Sequence, residues 1–205
     1  MTKAYDPSLT MRAARDRYFE DNGFGPDGGY ASPWVDFKLG PIPMPFPNTA
    51  GRVRAVRFHD LHHLVTGYAT DTLGEFEIGA WELGAGCKDF WVAWQLNFGS
   101  VAAGALVIPR RTFRAFVRGR RTHTLYGRDL DALLDRTVGA ISAELGTDCA
   151  AEPTLADLAL FIVTALVGSV IGLVTFGLLV VVGGPLLFLG TRLRRAAREA
   201  HAAGA

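Results

Sequence analysis

The chain has 205 residues, of which 49% are hydrophobic and 20% are charged, a size that suits one domain with an appendage. Its formal net charge is only +1 and no nucleic-acid-binding fold is recognisable in it, so nucleic acid is not expected as a partner. The two cysteines, Cys87 and Cys149, are too few for a zinc ribbon or a redox pair and favour a reducing cytoplasmic compartment.

The first elements predicted along the chain are a short helix and an irregular loop. Residues 11–21 suit a helix, which the glycine-rich residues 22–29 end. Residues 32–50 contain five prolines and therefore exclude a regular helix there.

Helical spacing of apolar residues dominates from Arg52 onward. A first helix over 52–66 would bury Val53, Val56, Leu61 and Leu64. Gly146 would end a later amphipathic helix, whose apolar positions are Leu130, Leu133, Leu134, Val138, Ile141 and Leu145. Alternating strand patterns are scarce, so the sequence predicts an all-α fold, with residues 1–150 forming a helical metal-binding domain.

Residues 58–75, FHDLHHLVTGYATDTLGE, hold three of the five histidines. His59 and His63 are four residues apart, so on a helix both imidazoles lie on one face. Glu75 would lie on the far side of a straight helix. However, Gly67 can end the helix and Thr70 or Asp71 can cap a second one that turns Glu75 back.

Two imidazoles and a carboxylate suit zinc with an open fourth position, and equally iron or manganese. His59, His63 and Glu75 are therefore predicted ligands of a divalent metal. Asp60 would be a fourth ligand or a partner that orients an imidazole.

Three other interpretations of the histidines were weighed. An HxxxH pair is often only a solvated helix face. The HxxHH pattern of di-iron desaturases needs about eight histidines, and only His123 and His201 remain here. A zinc hydrolase would use Asp60 as its general base, although this side chain is shorter than the usual Glu.

An arginine cluster follows, interleaved with Phe113 and Phe116. It predicts either a solvated helix face or a surface that binds anionic lipid headgroups. The predicted headgroup-binding residues are Arg110, Arg111, Arg114 and Arg118.

Residues 158–191 form a run of 34 residues without a charge. This is long for one membrane span and short for two. The C-terminal segment 151–205 is therefore predicted to be a transmembrane helix or a re-entrant helical hairpin, in which Gly168 and Gly172 form a GxxxG pair. Arg192 and its basic neighbours place the tail in the cytoplasm, and a hairpin would leave the soluble domain facing the cytoplasm as well.

The spacing around the histidines resembles the coenzyme Q (ubiquinone) biosynthesis protein 4 family. Weaker similarity covers residues 12–147, including the segment YFEDNGFGPD at 18–27. The hydrophobic tail is an addition to the family pattern. The positions that match the motif are His59, Asp60, His63, Gly67, Thr70, Leu73, Gly74 and Glu75.

The resemblance implies an all-helical, membrane-associated protein with zinc, or iron or manganese, at His59, Asp60, His63 and Glu75. Asp60 is the candidate catalytic residue, and residues 81–108 would supply an apolar slot for a polyprenyl chain. The implied function is ubiquinone biosynthesis on a polyprenylated aromatic precursor, including oxidative decarboxylation at ring carbon C1. The alternative is a non-catalytic lipid-binding scaffold. Expected partners are membrane lipid, the polyprenyl quinone precursor, other ubiquinone-biosynthesis enzymes and a second copy of the chain.

Overall fold

The computed structural model describes residues 5–35, 38–39, 42–43, 45–150 and 152–178. This part of the chain is mainly helical, as predicted. Its helices are Met11–Asn22 (α1), Ala50–Thr66 (α2), Thr72–Ala85 (α3), Trp91–Val107 (α4), Pro109–Gly119 (α5), Leu130–Leu134 (α6), Val138–Leu145 (α7) and Leu155–Leu178 (α8). Its strands are Trp34–Val35 (β1), Lys38–Leu39 (β2), Ile42–Pro43 (β3) and Phe46–Pro47 (β4).

Polar caps and glycines set the helix ends at the site. The Thr49 side chain accepts a hydrogen bond from a first-turn amide of α2, and Asp71 does the same for α3. Gly67 ends α2 with φ 74°, a left-handed conformation that favours glycine. The predicted end of α2 at Gly67 and the predicted start of α3 are thereby confirmed, with Asp71 rather than Thr70 as the cap, whereas α2 begins at Ala50, two residues before the predicted start.

The predicted helix over residues 130–145 is in fact two helices, α6 and α7. Backbone pairing causes the break: the Met11 amide donates to the Arg136 carbonyl at 2.7 Å, and the Val138 amide donates to the Leu9 carbonyl at 2.9 Å. This pairing holds Thr137 in an extended conformation, from which its side chain caps α7. Gly146 ends α7 as expected.

The buried face of α2 differs from the predicted one. Leu61 and Leu64 are buried as expected, but Val53 and Val56 are only half-buried. Ala55 and Phe58 take their place in the core. The apolar stripe on α2 is therefore continued by these two residues toward its N-terminus.

The proline-rich segment contains no helix among its described residues. β1 pairs antiparallel with β4, and β2 pairs antiparallel with β3. Each ladder has only two residues per strand, so the fold remains all-α in its core.

Helices α3 and α5 cross with their backbones in close approach. A Cβ atom at Gly119 would overlap the carbonyl of Trp81, and one at Gly84 would overlap the carbonyl of Phe116. Glycine on each helix thus permits a contact that any larger residue would prevent. The crossing sets the position of Trp81, which is fully buried in the core.

The segment Leu155–Thr175 of α8 is long and apolar enough to cross a membrane. The described α8 packs along α4 and touches α5. A Cβ atom at Gly168 would overlap the backbone carbonyl of Phe98, whereas one at Gly172 would meet no atom of the described residues within 4 Å, so within the described part of the chain one glycine of the GxxxG pair makes a close contact. The second arm of the predicted hairpin, 179–205, lies outside the described residues.

Candidate metal centre

Three donor groups from α2 and α3 converge at the corner between these helices. Nε2 of His59 lies 3.2 Å from Nε2 of His63. The two oxygens of Glu75 lie 3.3 Å from these nitrogens, Oε2 from His59 and Oε1 from His63. The structure therefore brings together the three ligands that the sequence predicted.

The hydrogen bonds on the far side of each imidazole determine which nitrogen faces the corner. Nδ1 of His63 donates to the Tyr68 carbonyl at 2.9 Å, and Nδ1 of His59 donates to the Glu82 carboxylate at 2.9 Å. A neutral imidazole carries one proton, so each Nε2 holds a lone pair directed into the corner. Two such lone pairs and a carboxylate attract a cation, which is either a proton on one ring or a metal ion.

The separations fit a small divalent ion. Ligand atoms about 2.0–2.1 Å from a tetrahedral zinc ion are about 3.3 Å apart, and octahedral coordination at similar bond lengths shortens this to about 3.0 Å. The three observed separations, 3.2 to 3.3 Å, match the tetrahedral value. His63 is only 1% exposed and the Glu75 side chain 41%, so access to the corner is from the Glu75 side.

Glycine and a cap place Glu75 opposite the histidines. Asp71 accepts from the Gly74 amide at 2.8 Å and starts α3 immediately after the turn that follows α2. A Cβ atom at Gly74 would overlap the carbonyl of Ala69, so only glycine lets α3 begin this close to the turn. Glu75, the next residue, is thereby held against α2.

The charges at the corner reinforce one another. Burial opposes ionisation of Glu75, but its interactions with His59 and His63 outweigh burial and lower the Glu75 pKa to about 2. Burial also opposes charge on His59, yet the charge of Glu82 and the hydrogen bonds that His59 donates to both glutamates raise the His59 pKa well above its usual value. The metal-free corner therefore holds a proton on His59 at neutral pH.

Asp60 lies beside the corner and outside the converging set. Its carboxylate accepts hydrogen bonds from the Tyr30 hydroxyl at 2.5 Å and from the Tyr18 hydroxyl at 3.4 Å. Tyr18 in turn stacks on the His63 ring, with centroids 5.7 Å apart. Burial raises the Asp60 pKa, against the charge of His59 and the hydrogen bond from Tyr30. Asp60 thus bonds to tyrosines, while the Nδ1 atoms of His59 and His63 bond to Glu82 and to the Tyr68 carbonyl, and both predicted roles of Asp60 stay predictions.

Glu82 is the site residue that sequence reasoning missed. It is 1% exposed and contacts His59 and His62 through one oxygen. The available signal was its spacing, because Glu75 and Glu82 are seven residues apart and so lie on one face of α3. His62 belongs to this buried network and its ring nitrogens do not face the corner.

The arginine cluster divides into exposed and internally bonded side chains. Arg118 donates to the carbonyls of Thr66 and Thr147, and Arg111 forms an ion pair with Glu77. Arg110, Arg111 and Arg114 are exposed. Binding of lipid headgroups by the four arginines stays a prediction.

The aromatic residues of segment 81–108 have different surroundings. Trp81 and Phe90 are buried in the core, and Trp94 and Phe98 pack against it. Trp91 is 80% exposed. Most of this aromatic set is therefore packed in the helical core, and its role as a lipid slot stays a prediction.

Comparison with known proteins identifies no relative: no protein-family model, curated protein or solved structure matches the chain. The function is therefore inferred from the chemistry of the three donor groups at the corner. A divalent ion held by two imidazoles and a carboxylate keeps a position for an oxygen ligand and can polarise it.

Proposed function

We propose that the chain is a divalent-metal protein of a membrane surface that handles a polyprenylated aromatic precursor in ubiquinone (coenzyme Q) biosynthesis. Metal binding is supported by one observation: donor atoms of His59, His63 and Glu75 converge to within 3.2 to 3.3 Å of one another. Zinc is the ion that this donor set and these separations favour.

The half-exposed side of the corner supports a ligand from outside the chain. Only Glu75 reaches the surface substantially, so a carboxylate or phenolate approaching there would meet the ion at its free position. Such groups are found on the aromatic precursors that the sequence resemblance implies. His63 and the tyrosine-bound Asp60 are both buried, so neither offers a second approach from solvent.

The chemical step proposed is oxidative decarboxylation at ring carbon C1. The bond between C1 and the carboxyl carbon breaks and carbon dioxide leaves. One oxygen atom of dioxygen becomes the hydroxyl on C1, and the other leaves as water after taking two electrons from a reductant and two protons from solvent. Zinc cannot accept electrons. This step therefore requires iron or manganese at the same ligands.

Substitution of the ligands tests the metal assignment. His63→Ala and Glu75→Ala should each abolish metal retention, measured by elemental analysis of purified protein, because two ligands hold a divalent ion weakly. His123→Ala is the control, since this exposed histidine lies outside the corner. Metal contents equal to the unmodified protein in both ligand variants would refute the assignment.

Mass spectrometry of co-purified and accumulated lipids tests the substrate class. Cells that carry His63→Ala in place of the natural chain should accumulate a prenylated ring acid, and His123→Ala cells should not. Unchanged quinone and precursor levels in His63→Ala cells would argue against the pathway.

A second function, a non-catalytic lipid-binding scaffold, is favoured by one observation. The ligands come from two helices, α2 and α3, so an ion would join them and stabilise the corner. Purified protein with precursor, iron or manganese, reductant and dioxygen separates the two functions. Turnover without partner enzymes supports catalysis, and binding without turnover supports the scaffold.

A further inference from the structure

Glu82 is a buried carboxylate with four hydrogen-bond donors around it. It lies on α3 and is 1% exposed. The donors come from α2, from α4 and from the segment that follows α5, and they are His59, His62, Asn97 and Tyr126. Burying a carboxylate is costly unless it is hydrogen-bonded or paired with a positive charge. The four donors therefore indicate that Glu82 is ionised in the folded protein and that its negative charge is stabilised by these hydrogen bonds.

The two oxygens of Glu82 have separate tasks. Oε1 accepts from Nδ1 of His59 at 2.9 Å and from Nδ1 of His62 at 2.7 Å. Oε2 accepts from the amide of Asn97 at 2.6 Å and from the hydroxyl of Tyr126 at 2.8 Å. One oxygen therefore faces the histidines, and the other anchors the carboxylate to the core.

The protons on this network are fixed by the contacts of His62. Its Nε2 accepts the backbone N–H of Leu125 at 2.9 Å, so the proton of this ring is on Nδ1. An ionised Glu82 has no proton to donate, and the bond to His59 consequently requires N–H on His59 Nδ1 as well. When His59 is neutral, as it must be to bind an ion, its lone pair is therefore on Nε2, the atom that faces Glu75 and His63.

We propose that Glu82 is the positioning residue of the metal centre, acting through His59; this inference rests on the proposed metal site. Its carboxylate fixes the His59 ring in the one tautomer that directs Nε2 at the ion. It also increases the basicity of that nitrogen, as carboxylates bonded to ligating histidines do. Glu82 does not touch the ion itself.

Zinc affinity of the full-length protein, measured by competition with a chromophoric chelator, tests the proposal. Glu82→Gln keeps the shape of the side chain and removes its charge, and it should weaken zinc binding about 10- to 100-fold. Glu77→Gln is the matched control. It removes a carboxylate charge from the same helix, where Glu77 pairs with Arg111 and does not contact the histidines, and should leave zinc affinity little changed.

A spectroscopic measurement separates positioning from general support of the fold. The visible absorption of the cobalt-substituted protein reports the ligand field at the ion. Glu82→Gln should shift this spectrum and Glu77→Gln should not, even if both variants unfold at lower temperature. Equal losses of zinc affinity with unchanged cobalt spectra would show that Glu82 only supports the core, and would overturn the inference.

The unmodified protein supplies an independent check should Glu82→Gln fail to fold. Nitrogen-15 NMR of the zinc-loaded protein should show His59 bound through Nε2 and protonated on Nδ1. Zinc on Nδ1 of His59 would overturn the role of Glu82 while leaving the metal proposal intact. Absence of zinc binding by the unmodified protein would refute both.

Discussion

At the scale of residues, spacing predicted the three side chains that converge, but not the residues that form hydrogen bonds around them. His59, His63 and Glu75 could be predicted because helical periodicity and the glycine that ends α2 fix their relative positions. Tyr30 contacts Asp60 across 30 residues of chain, and Tyr126 contacts Glu82 across 44. Contacts at such separations depend on tertiary packing, which no local pattern encodes.

The protonation of His59 leads to a prediction about pH. Because its pKa is raised well above the usual value, zinc must displace a proton from it at neutral pH. Apparent zinc affinity should therefore increase about tenfold per pH unit from pH 6.5 upward, and level off above the raised pKa. Competition titrations over a pH series measure this slope.

The stability of the metal-free protein should show the opposite dependence on pH: it should decrease as the pH rises. A raised histidine pKa stabilises the fold fully below about pH 6.5, the value for an unfolded histidine, and this contribution is lost as the pH rises through the raised pKa. Chemical denaturation of chelator-treated protein, repeated over the same pH series, measures this change in stability. A zinc affinity independent of pH between 6.5 and 8 would contradict the assignment of the proton to His59.

At the scale of elements, the helix ends set by caps and glycines could be predicted from the sequence. Backbone pairing between distant segments could not. The ends of α2 and α3 follow from Gly67 and Asp71, whose roles are local. The break between α6 and α7 depends on hydrogen bonds to the distant residues Leu9 and Met11. Apolar periodicity continues through this break, so the sequence predicts one helix where pairing produces two.

The crossing of α3 and α5 predicts a stability difference between two glycines. Gly119→Ala places a Cβ atom against the Trp81 carbonyl and should lower the free energy of unfolding by about 1–3 kcal/mol. Gly99→Ala is the control, because a Cβ atom there meets no neighbour. It should raise stability by up to about 1 kcal/mol, since alanine is the better helix former.

Chemical denaturation in detergent solution, followed by helical circular dichroism, measures both variants. Equal stability changes for Gly119→Ala and Gly99→Ala would show that the backbones of α3 and α5 can separate without cost.

At the scale of the whole molecule, α8 exposes an apolar surface on one side and packs against α4 and α5 on the other. The sequence predicted its apolar character from the absence of charge over 158–191. Its packing on α4 could not be predicted from the sequence, because 47 residues lie between the end of α4 at 107 and the start of α8 at 155. Buried Asp157, which pairs with Arg120 and Arg121, ties the start of α8 to the end of α5.

This arrangement predicts firm attachment to lipid bilayers. The exposed apolar residues of α8, among them Leu166, Val170 and Leu173, would lie in hydrocarbon. Full-length protein reconstituted in vesicles should therefore float with them after washing in high salt and in alkaline carbonate. Release by high salt would instead assign the attachment to arginines such as Arg110 and Arg114, whose electrostatic attraction to headgroups is screened by salt.

The contact of Gly74 with the Ala69 carbonyl has a consequence for ion size. Ala69 lies in the turn that joins α2 to α3, and its backbone contact with Gly74 leaves no side chain between them that could shift, so the start of α3 that carries Glu75 has little freedom to move relative to this turn. Calcium binds oxygen at about 2.3–2.6 Å and needs six to eight ligands, whereas zinc accepts four at about 2.0–2.3 Å. A corner that cannot widen, with two nitrogen donors, would therefore select the smaller ion, and the residue that restricts its width would be a glycine.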